Sequence, residues 1–183
     1  MGLGWEEIVE ASRDLGVSPC FIWAVASNES GVKGFDASGR VLVRFEKHVF
    51  KRELRKRGMA QATRTEVESL DGVRWETLNA AMGIHEESAL RATSFGMFQI
   101  MGFNHKVAGF DSVLDFVTAQ KKGASYQLES FCAFVRHEGL IPLMQKSDFA
   151  GFARRYNGPA YAKNRYDIKL EQAYRRCLEK RGC

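Results

Sequence analysis

The sequence predicts a mostly α-helical domain that carries one small β element. Apolar residues recur at helical spacing in several segments. One short run, residues 41–46, is rich in the β-branched and aromatic residues that are typical of a strand. With 183 residues and three prolines, the chain has room for one well-filled core and shows no linker. We therefore expect one domain over residues 1–183.

Two helices are predicted at the start of the chain. Trp5, Ile8 and Leu15 fall at helical spacing, and Gly16 supplies a stop. A second helix should begin after Ser18, because a serine followed by a proline is typical of an N-cap and a first helical turn. The residues that follow are almost all apolar, so this helix is expected to be central and buried, and to end near residues 28–31.

A loop, a strand and a charged segment are predicted next. Residues 31–40 contain three glycines and indicate a loop, and residues 41–46 form the only convincing strand. Charged residues dominate residues 47–58. Their helical spacing, with Glu46 and Glu53 between the basic side chains, favours a solvated surface helix over a nucleic-acid site.

The second half of the chain is predicted to be helical. Helical patterns return at residues 75–82 and 87–92. Three further helices should follow capping residues, with Asp111 before 113–120, Ser125 before 126–138 and Ser147 before 149–156. The last helix has the clearest apolar pattern, formed by Leu170, Ala173, Tyr174, Cys177 and Leu178.

Charge and hydropathy limit the classes of partner. Lys and Arg number 27 against 22 acidic residues, and the net charge of +5 favours a polyanionic partner such as nucleic acid, a membrane surface or bacterial wall. No apolar run approaches the roughly 20 residues of a membrane helix, so stable membrane insertion is not expected. The first residues carry glutamates where a secretory signal would carry positive charge, which predicts a chain made and kept in the cytoplasm.

The cysteines and histidines do not predict a metal or cofactor site. Cys20, Cys132, Cys177 and Cys183 are widely scattered, and neither they nor the four histidines show the spacing of zinc ligands. Because small buried cysteines are reduced in the cytosol, we expect free thiols.

Glu29 is the first candidate for a catalytic residue. It lies at the end of the predicted apolar helix, where partial burial and the negative end of the helix dipole both disfavour a carboxylate. Both effects raise the pKa, and a carboxylic acid that stays protonated near neutral pH can serve as a general acid toward a glycosidic oxygen. The alternative is a solvent-facing glutamate at a helix end.

Three separated strings give this glutamate a context. Glu29-Ser30 follows the apolar helix, the string SFGMFQIM occupies residues 94–101, and RYNG occupies residues 155–158. In this order they resemble the three signatures of the superfamily of goose lysozymes and lytic transglycosylases, which are E-S, G-L-M-Q-[IL] and A-Y-N-x-G. Longer stretches are similar to the N-acetylmuramidase family found as phage endolysins, namely residues 29–35, 43–50, 98–105 and 152–159.

The resemblance implies a fold, an activity and a site. It implies a lysozyme-like α+β domain that cleaves the β-1,4 bond between N-acetylmuramic acid and N-acetylglucosamine in the bacterial peptidoglycan glycan strand, with Glu29 as the general acid. The implied substrate-binding residues are Ser30, Ser94, Gly96, Phe98, Gln99, Tyr156 and Asn157. The tyrosine ring would lie against a sugar, with its hydroxyl near the acid. For Gln99 the alternative is a satisfied amide in a helix, and for Tyr156 it is core packing.

The resemblance also implies a biological setting. Many such enzymes carry a separate cell-wall-binding module, and no residues remain here to form one. The expected protein is a monomeric catalytic domain that binds no nucleic acid. It would accumulate in the host cytoplasm and act on periplasmic peptidoglycan after its release.

The second carboxylate stays open. Glu46, at the end of the predicted strand, is the first candidate for a base or nucleophile, and Asp36 in the preceding loop is its rival. Glu46 could instead form an ion pair with Arg44 or His48. Two other functions also stay open: a lytic transglycosylase that forms 1,6-anhydromuramic acid, and a non-catalytic domain that binds wall or nucleic acid.

Overall fold

The computed structural model describes residues 2–182 and confirms both predicted N-terminal helices. They are α1 (Trp5–Leu15) and α2 (Pro19–Ser30). Gly16 ends α1 in the left-handed conformation, with a φ of 66°. The Ser18 side chain accepts a hydrogen bond from a backbone amide in the first turn of α2. Most of α2 is buried, as expected for a central helix.

A three-stranded antiparallel sheet packs beside these helices. Its strands, in spatial order, are β1 (Val43–Phe45), β2 (Thr93–Phe95) and β3 (Ile100–Met101). Phe95 lies opposite Val43 in β1 and opposite Ile100 in β3. The prediction of a single strand is therefore wrong. All three residues of β2 are buried, so this strand has no alternation of polar and apolar residues that could identify it.

The charged segment forms a helix, and one face of this helix is buried. This helix, α3 (Lys47–Lys56), buries Val49, Phe50 and Leu54 together with the carboxylate residue Glu53. The prediction that Glu53 lies on a solvated face is wrong, because cationic side chains of α3 and of a neighbouring helix compensate its charge inside the protein.

Two helices follow α3. The short helix α4 (Arg64–Ser69) was not predicted. The longer α5 (Trp75–Arg91) covers both segments that the sequence predicted separately. Its backbone leaves helical geometry at His85, with a φ of −161° and a ψ of 105°. This kink lies between the two predicted helices and explains why their apolar patterns do not join.

Of the next four helices, three agree with the predictions in place but not in their caps, and the short α8 was not predicted. They are α6 (Val113–Lys122), α7 (Ala124–His137), α8 (Ile141–Gln145) and α9 (Phe149–Asn157). The side chains of Ser112 and Asp148 cap α6 and α9, and α7 begins directly after Gly123. The predicted caps Asp111, Ser125 and Ser147 are therefore wrong. Adjacent residues of equal capping strength cannot be ranked from sequence.

The last helix, α10 (Tyr166–Arg181), runs antiparallel to α2. A disulfide joins Cys20, in the first turn of α2, to Cys177, and the rings of Phe21 and Tyr174 are 6.0 Å apart. Free thiols were expected, and for these two cysteines that prediction is wrong. Cys132 is free and buried, and Cys183 lies outside the described residues. The packing of helices whose cysteines are 157 residues apart creates the pairing, so local sequence does not show it.

The mostly α class with one small β element is confirmed. Two 3-10 helices, Gly102–Asn104 and Pro159–Tyr161, complete the regular structure. Within residues 2–182, no helix is long and apolar enough to span a membrane.

Candidate active site

Glu29 lies in the last turn of α2 and meets α9 from the far end of the sequence. The side-chain amide of Asn157 donates a hydrogen bond of 2.8 Å to Glu29 Oε1. Gly31 ends the helix in the left-handed conformation, with a φ of 66°. The Ser30 hydroxyl donates to the carbonyl of Ala26 and accepts from the amide of Lys33, so it shapes the chain reversal beside the acid. A contact of Ser30 with substrate stays a prediction.

The environment of Glu29 favours its protonated form. The surrounding protein crowds the carboxyl group, and this desolvation raises its pKa from 4.5 to about 7. The hydrogen bond from Asn157 and the positive charge of Arg44 act in the opposite direction. The raised pKa that the sequence predicted is confirmed, with burial as its main cause.

Strand β1 carries an arginine whose positive charge acts on this acid. Val43 and Phe45 point into the core, so Arg44 between them points outward. Its Nε lies 2.8 Å from Glu46 Oε1, and Nδ1 of His48 lies 3.6 Å from Glu46 Oε2. The alternative of an ion pair at Glu46 is thus confirmed for the arginine, and the histidine adds to it when protonated.

Tyr166 is a site residue that the sequence analysis missed. Burial and the negative charges of Glu29 and Glu46 raise the pKa of its hydroxyl, while Arg44 lowers it, which places all four groups in one electrostatic neighbourhood. The signal was present, because the apolar pattern of α10 continues backward by one turn from Leu170 to Tyr166. The antiparallel packing of α10 on α2 then brings this tyrosine to the end of α2 that bears Glu29.

The β2–β3 hairpin carries several of the predicted substrate-binding residues. Gln99 has a φ of 50°; its side-chain oxygen accepts from the Ser94 hydroxyl and its side-chain nitrogen donates to the carbonyl of Gly96, both at 2.8 Å. The amide is satisfied, but in a hairpin and not in a helix. Gly96 has a φ of 73°, and a Cβ there would lie 2.7 Å from Cδ of Gln127. The glycine is thus required by the fold itself.

Tyr156 joins the hairpin to α9. Its hydroxyl donates a hydrogen bond of 2.6 Å to the carbonyl of Phe98, and its ring is stacked on Phe152 at 5.2 Å and packs edge-on against Phe134. Burial and the charge of Glu29 hold the pKa of the hydroxyl well above its ordinary value. The ring of Tyr156 therefore packs in the core, as the alternative interpretation of this residue expected. A contact of the ring with a sugar stays a prediction. The Phe98 side chain is also buried, against Phe131.

Comparison with known proteins assigns this site to a family. The family model for N-acetylmuramidase matches residues 18–178, which is most of the chain. The chain belongs to the N-acetylmuramidase family. It is also similar to a crystal structure of the Burkholderia AP3 phage endolysin, with 35% identity and a TM-score of 0.83 over 98% of this chain and 72% of the other. No match was found among curated proteins.

The family confirms the activity expected from the resemblance. The protein is a peptidoglycan-degrading muramidase, a glycoside hydrolase with a mostly α, lysozyme-like fold. The match includes Glu29, the hairpin and the Tyr156-Asn157 turn within one continuous region.

Asp36, the rival second carboxylate, serves its own loop in this muramidase. Its Oδ1 accepts hydrogen bonds from the amides of Ser38 and Arg40, and its Oδ2 accepts one from Arg40 Nε. Some desolvation would raise its pKa, but these hydrogen bonds outweigh it and lower the pKa. Asp36 thus holds the turn that leads into β1, whereas Glu46 lies with Arg44 beside the acid.

No group of histidine, cysteine, aspartate and glutamate side chains within residues 2–182 is arranged to hold a metal ion.

Proposed function

We propose that this muramidase hydrolyses the β-1,4 bond between N-acetylmuramic acid and N-acetylglucosamine, with Glu29 as the general acid. The observation that carries the proposal is the carboxyl group of Glu29 with a pKa of about 7. Near neutral pH a large fraction of this group is protonated, so it can give a proton to the glycosidic oxygen as the bond breaks. Asn157 occupies Oε1. Because Oε1 already accepts this hydrogen bond, we place the transferable proton on Oε2.

Glu46 is proposed as the base that activates a water molecule. Hydrolysis adds water across the broken bond, so a second carboxylate must take a proton from the attacking water while the leaving oxygen gains one. Glu46 is supported in this role by its place beside Arg44, which also acts on Glu29. The ion pair with Arg44 fixes the orientation of the carboxylate.

A lytic transglycosylase is the second candidate, and the ion pair of Glu46 favours it. Both oxygens of Glu46 have a partner, Arg44 on one side and His48 on the other. If those contacts prevent Glu46 from acting as a base, Glu29 is the remaining carboxyl group of the site. In that case Glu29 gives its proton to the leaving glycosidic oxygen, and the resulting carboxylate takes the proton of the muramic acid C6 hydroxyl as O6 attacks C1 and closes the 1,6-anhydro ring.

Product analysis separates the two reactions. Purified sacculi are digested, the products are reduced with borohydride, and the muropeptides are identified by mass spectrometry. Hydrolysis as proposed gives reduced N-acetylmuramic acid ends, and the second candidate gives 1,6-anhydro ends that do not reduce. Glu46→Gln should lose hydrolysis severely, while Asp36→Asn should lose little. The exposed Glu129→Gln serves as the control. Reduced N-acetylglucosamine ends would contradict both candidates.

The biological role is proposed to be that of an endolysin. Support comes from the similarity to a phage endolysin over nearly the whole chain. In this role the protein acts as a monomeric catalytic domain on the glycan strand, without nucleic acid, and reaches periplasmic peptidoglycan from the host cytoplasm after the membrane opens. Expression in a bacterial host should leave cells intact until the membrane is permeabilised, and the Glu29→Gln variant should leave them intact afterwards as well. Light scattering of the purified protein tests the monomer.

A further inference from the structure

The cations of α3 fall into two sets, and one of them is already neutralised. This first set lies within ion-pair distance of the buried Glu53 and consists of Arg52, Lys56 and Arg57. The second set recurs every four residues along another face of the helix and consists of Lys47, Lys51 and Arg55. The positive charge that the helix offers to a partner therefore lies on the second face.

A cavity of about 110 Å³ opens between this second face and α4. Leu54 and Val67, both buried core residues, line it from the two helices, and Ala60 lines it from the loop between them. The guanidinium-bearing residues Arg55 and Arg64 also line the cavity and are exposed. The cavity thus combines apolar lining with two exposed cations.

Charge around this cavity is unbalanced. Glu68 is the one acidic residue among those that line it. Its carboxylate is bound by Lys51 at 2.7 Å, and its backbone carbonyl accepts a hydrogen bond from Lys47 at 3.1 Å. In the part of the chain that the structure describes, neither Arg55 nor Arg64 has a carboxylate within ion-pair distance. Two guanidinium groups are therefore left for an external anion.

We propose that the cavity between α3 and α4 binds the phosphate of an anionic membrane lipid, with the adjoining apolar carbons over Leu54 and Val67. Guanidinium groups match the oxygens of a phosphate ester in geometry and charge. The apolar lining favours a ligand with hydrocarbon next to its phosphate, and a glycan strand has no phosphate ester of this kind. Nucleic acid would need an extended track of cations with stacking aromatic rings, and this small cavity provides neither.

The position of the cavity relates it to the candidate active site. Glu46 precedes α3, and Arg55 lies nine residues further along, a rise of about 13 Å in a helix. A lipid surface at the cavity would hold the muramidase beside the membrane, with Glu46 at the opposite end of α3. The inference does not depend on which carboxylates perform the reaction, because it concerns other side chains.

Vesicle sedimentation tests the proposal. The wild-type protein should pellet with vesicles of phosphatidylcholine mixed with phosphatidylglycerol and should not pellet with phosphatidylcholine alone. The double variant Arg55→Glu with Arg64→Glu should bind at least about 30-fold more weakly, because each basic residue near an anionic surface contributes roughly a factor of five. The double variant Arg176→Glu with Lys180→Glu, on α10, changes the net charge equally and should lose less than about threefold.

A third variant separates the cavity from its charge. Ala60→Trp fills the apolar space without altering any charge, so it should weaken vesicle binding while turnover of soluble glycan fragments stays unchanged. Equal losses in both charge-reversed variants would mean attraction by net charge and would overturn the proposal. Full binding by Ala60→Trp would overturn it as well. So would an equal loss of binding to lipid-free sacculi, since the occupant would then be a wall polymer.

Discussion

Glu29 at the end of α2 and Glu53 on the inner face of α3 are both crowded by protein, yet their pKa values move in opposite directions. Desolvation raises the pKa of Glu29 to about 7, against one amide hydrogen bond and one arginine. The same effect acts on Glu53, but hydrogen bonds and charges from Lys56 and Arg91 outweigh it and lower the pKa to about 2. Burial sets the direction only where cations are few.

The two glutamates also differ in what they give the protein. Glu53 is 1% exposed and stabilises the packing of α3 on α5, because it supplies the counter-charge for basic residues of both helices. Glu29 has no cation at ion-pair distance in the described chain, so its ionised form costs free energy. Functional sites commonly hold groups that lower the stability of the fold in this way. Changing each residue should therefore have opposite consequences.

The largest effect is expected for Glu29→Gln. Removal of a general acid should lower turnover of sacculi by roughly 100- to 10,000-fold. Because the variant has no ionised carboxylate to bury, its free energy of unfolding at alkaline pH should exceed that of the wild type by up to about 3 kcal/mol. Turnover and urea denaturation measure the two quantities. A variant that lyses near the wild-type rate would remove Glu29 from the mechanism.

Glu53→Gln should have the opposite effects, a loss of stability with turnover retained. It leaves several basic side chains without their counter-charge, which costs about 3 kcal/mol or more when an ion pair inside a protein is broken. The folded fraction should keep its turnover, since Glu53 is not part of the candidate site. Glu66→Gln, which is exposed on α4, is the control. An equal stability of the two variants would show that the charges around Glu53 contribute nothing.

This network also corrects an expectation about charge reversal. On the solvated surface helix that the sequence predicts, reversing Arg52, Arg55 and Lys56 to glutamate would leave stability nearly unchanged. Arg52 and Lys56 lie within ion-pair distance of Glu53, so carboxylates at those two positions would face a buried carboxylate. We now expect the loss of stability to come from those two residues and not from Arg55.

Loss of the disulfide should cost about 2–5 kcal/mol, because the bond constrains a long loop in the unfolded chain. Removing the disulfide tests the long-range packing of α2 on α10, on which the environment of Glu29 depends. The environment of Glu53 depends on it less, because two of its partners come from its own helix. Cys177→Ser should lower the melting temperature and remove its dependence on reducing agent. Cys132→Ala should retain that dependence. A wild-type protein indifferent to reducing agent would contradict the contribution of the disulfide.

The pH dependence of stability distinguishes the two glutamates in one protein. Glu29 binds its proton more tightly when folded, so its contribution falls as the pH rises from about 4.5 to about 7. Glu53 binds its proton less tightly when folded, so its contribution is lost as the pH falls from about 4.5 to about 2. Denaturation of the wild type and of both glutamine variants across this range should show each variant lacking one slope. If the slope assigned to one glutamate persists after that glutamate is changed to glutamine, the slope belongs to another titrating group.

Local sequence explains why Glu29 could be predicted and Glu53 could not. An apolar helix that ends in a glutamate is visible within a dozen residues, and the raised pKa follows from it. The partner Arg91 is 38 residues from Glu53 and reaches it only through the packing of α5 on α3. The periodicity of α3 showed a charged helix but not which of its charges face inward.

The rest of the site has the same limit. Tyr166 and the partner of Cys20 depend on the antiparallel arrangement of α2 and α10, which joins opposite ends of the sequence. The strands of the hairpin are two and three residues long, too short for a periodic pattern. Short motifs named Ser94, Gly96 and Gln99 as site residues, but only the fold shows that their polar groups serve one another.

The smallest expected effect concerns Arg44, the one cation within residues 2–182 that lowers the pKa of Glu29. Arg44→Gln removes that charge and raises the pKa, so the alkaline limb of the pH profile of kcat/KM should move to higher pH, because the acid must be protonated to act. An exposed charge contributes up to about 1 kcal/mol, which corresponds to a shift of up to about 0.7 of a pH unit. Arg44→Lys keeps the positive charge, so the alkaline limb of its kcat/KM profile should stay at the wild-type pH.

Direct titration of the Glu29 carboxyl by NMR checks this shift apart from turnover. Asn157 and the hydroxyls of Tyr156 and Tyr166 also face this group, and Glu46 faces Arg44. Glu46→Gln should therefore move the pKa of Glu29 downward, since it leaves the positive charge of Arg44 uncompensated. Added salt should shrink both shifts. If neither variant moves the pKa at low salt, the charges of Arg44 and Glu46 do not act on Glu29, and burial together with the Asn157 hydrogen bond sets its pKa.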